Sequence, residues 1–285
     1  WHLSLQAARA LRKAGRRAEA VRRAKRLWWE TDDRARLREV EALLKAWKED
    51  LGYGHRVARL TLRTSRSQVR DASRELRRMR PRGAYQRRVR EWGEAVLARW
   101  DSGKRVGALA TVAGLAPRFA DDPFEPFRLM GEAAILRRSD REAEAAAVYE
   151  AVVTRWPKHF LADLALPEAA WLRLYTGDLD AAEGWYRQLA ERATYGAEHR
   201  EALWRLAFLA LSRDDAEAAK APLVRLRALY GGTTDGYGVT WDERAGYWLG
   251  VAEAALDDPT RAAETWARLV ARYPAGWYAR LATER

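Results

Sequence analysis

The chain has no cysteine, only two methionines and four histidines among its 285 residues, and no long apolar run. The absence of cysteine excludes disulfide bonds and cysteine-ligated metal sites, and it is compatible with an oxidising compartment. No run of about 18 uncharged apolar residues occurs, so the sequence predicts no membrane-spanning helix. A signal peptide and an initiator Met are also missing, and because Trp1 is not a natural start we expect a processed or trimmed N-terminus.

Motifs for catalysis and for metal or phosphate binding are missing as well. The four histidines are His2, His55, His159 and His199. They are far apart and lack helical ligand spacing, so we expect surface or helix-cap roles. The sequence Gly103-Lys104-Arg105 lacks the remaining residues of a phosphate-binding loop, and no G-x-S-x-G sequence supplies a serine nucleophile. The sequence therefore predicts no metal and no cofactor.

Paired carboxylates are the remaining catalytic possibility, because glycan cleavage often uses them. Glu132 and Glu168 lie near apolar stripes, beside Met130 and Trp171, and burial would raise the pKa of either carboxyl group. With 40 Asp and Glu in the chain, such neighbours arise by chance. We predict no catalytic residue.

What the sequence does contain is a repeated helical unit, clearest in residues 241–285. The first apolar stripe comprises Ala245, Trp248, Leu249, Ala252 and Leu256, and the second comprises Ala262, Trp266, Leu269, Val270 and Tyr273. Both have the spacing of an amphipathic helix. Between them, Asp258 is suited to cap a new helix and Pro259 to occupy its first position. The unit is therefore a helix, a tight turn and a second helix, and a third helix opens at Trp277-Tyr278.

The same unit recurs towards the N-terminus. The turn signals are Ser139-Asp140, Gly177-Asp178, Asp214-Asp215 and Asp257-Asp258. Their aspartates Asp140, Asp178, Asp214 and Asp258 follow one another at spacings of 38, 36 and 44 residues. The second helices are predicted to end at Trp156-Pro157, Tyr195-Gly196, Tyr230-Gly231 and Tyr273-Pro274. Periods in this range are typical of tetratricopeptide-like helical arrays.

These patterns predict an all-α fold, a right-handed solenoid of antiparallel helix pairs that forms one continuous domain. Residues 1–123 read as basic, irregular helical repeats, and residues 124–285 as clearer tetratricopeptide-like ones. In the first part we expect a helix pair in residues 5–29 and a long helix capped by Thr31-Asp32-Asp33. An Arg-rich helix ends at Pro81, and the stripe in residues 85–100 predicts a further long helix.

The basic charge lies in the first part of the chain. Residues 1–118 contain 31 Lys and Arg against 13 Asp and Glu, whereas residues 119–285 contain 21 against 27. This asymmetry favours an anionic partner, although solvated helix faces in an Arg-rich chain give the same pattern. The candidate binding residues around the Pro81 break are Arg77, Arg78, Arg80, Arg82, Arg87, Arg88 and Arg90.

Two further features interrupt the regularity. Residues 231–240, GGTTDGYGVT, insert a flexible loop whose candidate binding residues are Asp235 and Tyr237, with a solvated connector as the alternative. The chain also has 14 Trp, most of them on apolar stripes where large rings fill gaps between helices. Trp241, Trp277 and Tyr278 lie at helix starts and are binding candidates, because partly exposed rings can stack on sugar rings; core packing is the alternative for them.

The last 45 residues resemble a known family. The resemblance rests on Tyr247-Trp248-Leu249, Trp266, Tyr273-Pro274, Trp277-Tyr278 and Leu281-Ala282. This run looks like the end of the superhelical domain of bacterial soluble lytic transglycosylases. In that family a lysozyme-like domain with E-S and G-L-M-Q motifs follows, and neither motif occurs here. The resemblance implies the non-catalytic arm of a periplasmic peptidoglycan-processing protein, which binds cell-wall glycan, another anionic cell-wall polymer or a partner protein.

Two other functions compete with this interpretation. A free-standing tetratricopeptide-type scaffold would bind a partner protein or peptide in its concave groove and would have the same fold. Nucleic-acid binding by the basic half ranks last, because the sequence has neither a helix-turn-helix signature nor an aromatic stacking platform. If the chain is an arm, we expect Arg285 to be followed by a further element that covers Trp277 and Tyr278.

Overall fold

The computed structural model describes residues 1–193 and 196–285. Within them the chain forms 17 α-helices, and β structure is limited to one bridge between Thr234 and Thr240. The helices are α1 His2–Lys13, α2 Arg17–Glu30, α3 Arg34–Ala46, α4 Tyr53–Leu62, α5 Val69–Arg78, α6 Gly83–Ala98, α7 Arg105–Gly114, α8 Ala116–Phe119, α9 Glu125–Arg138, α10 Glu142–Arg155, α11 Phe160–Tyr175, α12 Leu179–Arg192, α13 Ala197–Leu211, α14 Ala216–Tyr230, α15 Trp241–Ala255, α16 Pro259–Arg272 and α17 Trp277–Thr283. The predicted all-α fold of helices packed in sequential pairs is confirmed.

The chain divides into two compact units, residues 1–172 and residues 173–285, named here unit 1 and unit 2. In unit 1, α1 packs against α2, α4 against α6, α6 against α7, and α9 against α10. In unit 2, successive helices pack on one another from α12 to α17. The predicted change of repeat regularity at residues 123/124 stays a prediction. Among the described helices, none is both long and apolar enough to cross a bilayer.

An aromatic core organises unit 1. Phe127 in α9 stacks on Phe124 with 5.3 Å between ring centroids, and it lies 5.9 Å from Phe160 at the start of α11. Trp29 of α2 packs 5.7 Å from Phe160, which brings α2 and α11 together although about 130 residues separate them. Trp92 of α6 meets Phe124 edge-on at 4.9 Å. Offset and edge-on ring pairs of this kind stabilise a core beyond the area that they bury.

The four predicted turns all lie between paired helices, and they share one conformation. Their left-handed residues are Asp140, Gly177, Asp214 and Asp257, with φ of +54°, +81°, +59° and +57°. In three of the turns the next aspartate caps the second helix. Asp178, Asp215 and Asp258 accept hydrogen bonds from the backbone N–H of Ala181, Ala218 and Arg261. A short polar side chain is among the few that tolerate the left-handed region, and the following carboxylate satisfies a free helix N–H. The helix end predicted at Tyr195-Gly196 falls partly on Tyr195, outside the described residues, and α12 ends at Arg192.

The last helix pair packs through a glycine and a tryptophan. A Cβ on Gly250 of α15 would lie 2.3 Å from Nε1 of Trp266 in α16, so only glycine leaves room for this indole. Nε1 of Trp266 donates to the Tyr247 carbonyl at 3.1 Å. Tyr247, Leu269 and Ala282 form the buried centre of the cluster that joins α15, α16 and α17. The apolar stripes that predicted these helices therefore form the contacts between α15, α16 and α17.

Candidate functional site

The predicted arginine cluster lies at one end of the α5–α6 pair. Arg77, Arg78, Arg80, Arg82 and Arg87 are exposed, and within the described residues none of these five side chains has an ion-pair or hydrogen-bond partner. The other two members are partly buried: Arg90 pairs with Glu94 at 2.9 Å, and Arg88 Nε is buried without a partner. Five exposed guanidinium groups without a carboxylate partner thus lie within eleven residues around the α5–α6 turn.

A groove of about 740 Å³ lies at the opposite end of the same helix pair. Its cationic lining residues are Arg66, Arg70, Lys104 and Arg105, and its apolar lining includes Val69, Leu97 and Trp100. Lys104 is paired with Asp101 at 3.1 Å, and Arg105 donates to the Arg99 carbonyl at 3.0 Å. Sequence reasoning missed this groove, because its two walls are separated by about 30 residues. The signal available was the Gly103-Lys104-Arg105 sequence, which forms part of a wall rather than a phosphate loop.

The loop of residues 231–240 is held by hydrogen bonds rather than being a free connector. The Asp235 carboxylate accepts from the backbone N–H groups of Tyr237 at 2.8 Å and Val239 at 3.0 Å. Its second oxygen pairs with Arg244 of α15. The backbone N–H of Trp241 donates to the Thr233 carbonyl at 2.9 Å, and this hydrogen bond closes the loop at its base. Asp235 is therefore an internal anchor, and its side chain is occupied.

Arg244 and its aromatic neighbours bury one of the predicted binding residues. The Arg244 guanidinium lies 5.0 Å from the Trp241 ring centroid, 5.4 Å from that of Trp204 and 6.0 Å from that of Tyr278. Such cation–π contacts are favourable where the cation is partly desolvated. Trp241 is only 5% exposed in this cluster, so of the two alternatives for this ring the structure shows core packing.

Two acidic residues in the first turn of α15 hold the neighbouring elements. Asp242 accepts from Arg227 Nε at 2.9 Å and from the Tyr273 hydroxyl at 3.0 Å. Glu243 is buried and accepts from the backbone N–H of Tyr278 at 2.9 Å, which places a negative charge at the start of α17. A Cβ on Gly276 would lie 2.3 Å from the Glu243 carboxylate, so a larger residue here would displace that carboxylate from its present position.

Two aromatic rings beside the first turn of α15 face solvent. Tyr237 is 92% exposed at the tip of the anchored loop, and Trp277 is 57% exposed at the start of α17. Both rings are close in sequence to residues that contact the first turn of α15. Asp235, two residues before Tyr237, pairs with Arg244, and Tyr278, next to Trp277, donates its backbone N–H to Glu243. Tyr278, the third ring predicted at this end, is partly buried against Tyr247 at 5.5 Å. Of the five predicted binding residues of unit 2, the structure exposes Tyr237 and Trp277.

The two glutamates considered for glycan cleavage are ion-paired. Glu132 contacts Arg128 at 2.7 Å, and Glu168 contacts Arg137 at 2.6 Å. Arg128 also forms two hydrogen bonds with Glu125, and this arginine and Glu125 are both buried. In the described part of the chain, no group of three or more His, Asp or Glu side chains is arranged to hold a metal.

The histidines correct the sequence prediction in two cases. His2 is exposed and His159 accepts from the Leu161 N–H at 3.2 Å, as expected of a surface residue and a cap. His199 is instead fully buried, and its Nδ1 lies 2.7 Å from the Tyr230 hydroxyl. His55 packs edge-on against Phe127 at 5.1 Å. Burial lowers the pKa of His55 to about 4. Burial also lowers the pKa of His159 to about 4, with smaller contributions in the same direction from His55 and Lys25.

Comparison with known proteins places a repeat at this site. The sequence model of the tetratricopeptide repeat matches residues 244–275, which cover most of α15 and α16. The chain contains a tetratricopeptide repeat. No curated protein matches the chain. The tetratricopeptide match concerns the helical repeat itself and provides no link to lytic transglycosylases. Most of the aromatic residues on which that resemblance rested lie in the cluster that joins the repeat to α17, so packing accounts for their spacing.

Proposed function

We propose that the chain is a protein-interaction scaffold whose partner contacts the exposed rings beside the tetratricopeptide repeat. The observation that supports this proposal most is the geometry of Tyr237. Its backbone is fixed by Asp235, whereas 92% of its surface faces solvent. Tyrosine and tryptophan side chains are enriched among the residues that dominate binding energy. A ring on an anchored loop loses little conformational entropy on binding, which favours affinity.

Quantitative affinity capture tests this proposal. The full chain and its Tyr237→Ser and Trp277→Ser variants are compared for the proteins that they retain from cells of the source organism. We expect the two variants to lose the same small set of proteins, because a truncated central contact typically costs more than about 1 kcal/mol. Leu3→Ser is the matched control, since Leu3 is 87% exposed in α1 of unit 1.

Each protein lost in this comparison is then purified, and its affinity for the chain is measured by titration calorimetry. Support requires direct binding that Tyr237→Ser weakens at least about tenfold and that Leu3→Ser leaves unchanged. If every retained protein binds both ring variants as tightly as the unaltered chain, the loop is only structural and the proposal fails.

The second candidate function is the arm of a periplasmic peptidoglycan-processing protein, which contacts an anionic cell-wall polymer. The observation that favours it is the surface of five unpaired arginines at the α5–α6 turn, together with Arg66 and Arg70 in the groove. Exposed arginines that are not ion-paired attract polyanions, and the bound polyanion releases its counterions.

Cosedimentation with purified cell-wall sacculi over a range of salt concentrations tests this second function. We expect the logarithm of the affinity to fall linearly with the logarithm of salt concentration, and the triple variant Arg77→Gln, Arg78→Gln, Arg80→Gln to flatten the slope. The charge-matched control carries Arg23→Gln, Arg34→Gln and Arg118→Gln, which lie outside the cluster in the same unit. Equal slopes for the two triple variants would assign the attraction to overall charge and reject a site.

A further inference from the structure

A cavity in unit 1 is lined by residues that belong to none of the surfaces considered above. It has a volume of about 440 Å³ and is bounded by one face of α2, the segment after α3 and the turn between α10 and α11. This volume is within the range of pockets that hold small molecules. Trp29 of α2 packs against Phe160 of α11 at 5.7 Å, so the two distant helices meet where the cavity lies.

The walls of this cavity carry more positive than negative charge. Four cationic side chains line it, namely Arg17, Arg22, Lys25 and Lys158. Glu49 is shared between Lys25 at 3.2 Å and Arg17 at 3.4 Å, and Asp163 lies 3.6 Å from Arg22. Within the described residues Lys158 has no ion-pair partner. Glu49 lines the cavity and Asp163 lies beside it, so two carboxylates stand against four cationic side chains, and the excess matches a doubly charged anion.

The remaining lining is suited to a ligand with an apolar body. Val21 and Ala18 of α2 and the buried ring of Phe160 contribute apolar surface. His159 lines the cavity in its neutral form, because burial, His55 and Lys25 lower its pKa to about 4. Its Nδ1 accepts from the Leu161 N–H, so the ring hydrogen is on Nε2, which is a donor. The first turn of the 16-residue helix α11 adds its positive dipole end to this side.

We propose that this cavity binds a small organic phosphate, with the dianionic phosphate held by Arg22 and Lys158 and the organic group against Val21 and Phe160. Arginine guanidinium groups bind phosphate oxygens through paired hydrogen bonds, and lysine contributes a point charge. The site shares no residue with the rings of unit 2, so the proposal stands or falls independently of the scaffold function.

Titration calorimetry of the full chain with phenyl phosphate at pH 7.5 and low salt tests the site. We expect saturable binding to one site. Lys158→Gln and Arg22→Gln are each expected to raise the Kd about tenfold, which is typical for the loss of a charge-assisted hydrogen bond. Arg23→Gln is the matched control, because Arg23 is an exposed neighbour on the same helix outside the cavity and the charge change is identical. It should change the Kd less than about twofold.

Two further probes define the ligand chemistry. Benzenesulfonate has a similar ring with a single negative charge, and we expect it to bind about tenfold more weakly than phenyl phosphate because one charge is lost. Inorganic phosphate should bind more weakly as well, because it leaves the apolar lining uncovered. If all three probes bind alike, the cavity attracts anions without recognising an organic phosphate, and the proposal is rejected.

The remaining outcomes depend on the Arg23→Gln control and on whether each variant keeps its fold. Lys158 is exposed and unpaired, so Lys158→Gln should retain the helical circular dichroism spectrum even if Arg22→Gln does not. Two results would overturn the proposal. One is an absence of heat with phenyl phosphate at about 10 mM, a concentration at which even weak millimolar sites bind. The other is an equal rise of the Kd in Arg23→Gln and Lys158→Gln.

Discussion

At the scale of single residues, the guanidinium group of Arg99 joins two helices of unit 1. Arg99 follows α6, is 3% exposed and donates to the carbonyls of Thr61 at 3.0 Å, Leu62 at 3.1 Å and Thr64 at 3.1 Å. Those carbonyls include the end of α4, where the free acceptors and the negative dipole end favour a cation. Burial lowers the pKa of Arg99 to about 10, so the side chain stays charged at neutral pH.

We therefore predict that Arg99→Met lowers the free energy of unfolding by about 2–4 kcal/mol, because several buried carbonyls lose their donors at once. Arg118→Met is the control, since Arg118 is exposed and its side chain forms no hydrogen bond or ion pair among the described residues. Urea unfolding followed by circular dichroism measures both. A loss below about 0.5 kcal/mol for Arg99→Met, which is the level of an ordinary surface change, would contradict the capping role.

The buried histidines predict how stability depends on pH. The pKa of His55 and that of His159 are each about 4 in the folded protein, against an ordinary value of 6.5. Between these values the unfolded chain binds protons that the folded chain does not. The free energy of unfolding should therefore fall as pH falls from about 6.5 to about 4, by about 1–3 kcal/mol for each histidine.

Urea unfolding at a series of pH values from 7.5 to 4 provides the measurement. The double variant His55→Phe, His159→Asn removes both titrating groups, and asparagine keeps a capping side chain at the start of α11. Its stability should depend less on pH across this window, whereas His2→Gln should behave as the unaltered chain. A double variant with the full pH dependence would assign the effect to other groups.

Single residues also mark the limit of sequence reasoning. Arg99 lies three positions after Val96 on the apolar stripe of α6, which was the available signal for its burial. In a chain with 52 Lys and Arg, however, this signal is not distinctive. For Trp241 the sequence left exposure and core packing open, because its burial depends on Arg244 and on the loop before it, and stripe spacing contains no information about either contact.

At the scale of elements, the turns between paired helices were predicted well because their chemistry is local. A left-handed residue followed by a capping aspartate is set by adjacent positions, and Asp257-Asp258 follows this rule directly. The groove beside α5 and the cavity beside α2 were not predicted, because each combines residues that are distant in sequence. Helix packing decides which of the many basic residues face one another, and no single helix pattern specifies it.

The turn before α16 gives a sharp test of this local rule. Asp258→Ala should lower the free energy of unfolding by about 1 kcal/mol, because the Arg261 N–H loses its acceptor. Asp257→Gly should be neutral or stabilising by up to about 1 kcal/mol, since glycine adopts the φ of +57° without steric cost. Thermal unfolding compares the two variants. The rule would fail if the glycine variant were the less stable one.

At the scale of the whole molecule, the charge follows the division into units. Unit 1 contains 37 Lys and Arg against 23 Asp and Glu, and unit 2 contains 15 against 17. The two kinds of candidate surface divide in the same way. The arginine cluster, the groove and the cationic cavity belong to unit 1, whereas the exposed rings and the tetratricopeptide repeat belong to unit 2. Polyanion or phosphate binding is thus a property to seek in unit 1, and protein binding in unit 2.

The measurement that tests the scaffold function most directly is photo-crosslinking from the loop tip. A benzophenone amino acid replaces Tyr237 in the full chain, and a second chain carries it at Leu3, which is similarly exposed. After irradiation in cells of the source organism, we expect position 237 to yield a few discrete protein adducts that position 3 does not yield. Adducts that are the same at both positions, or none at position 237, would contradict the proposal that this loop is a protein-binding surface.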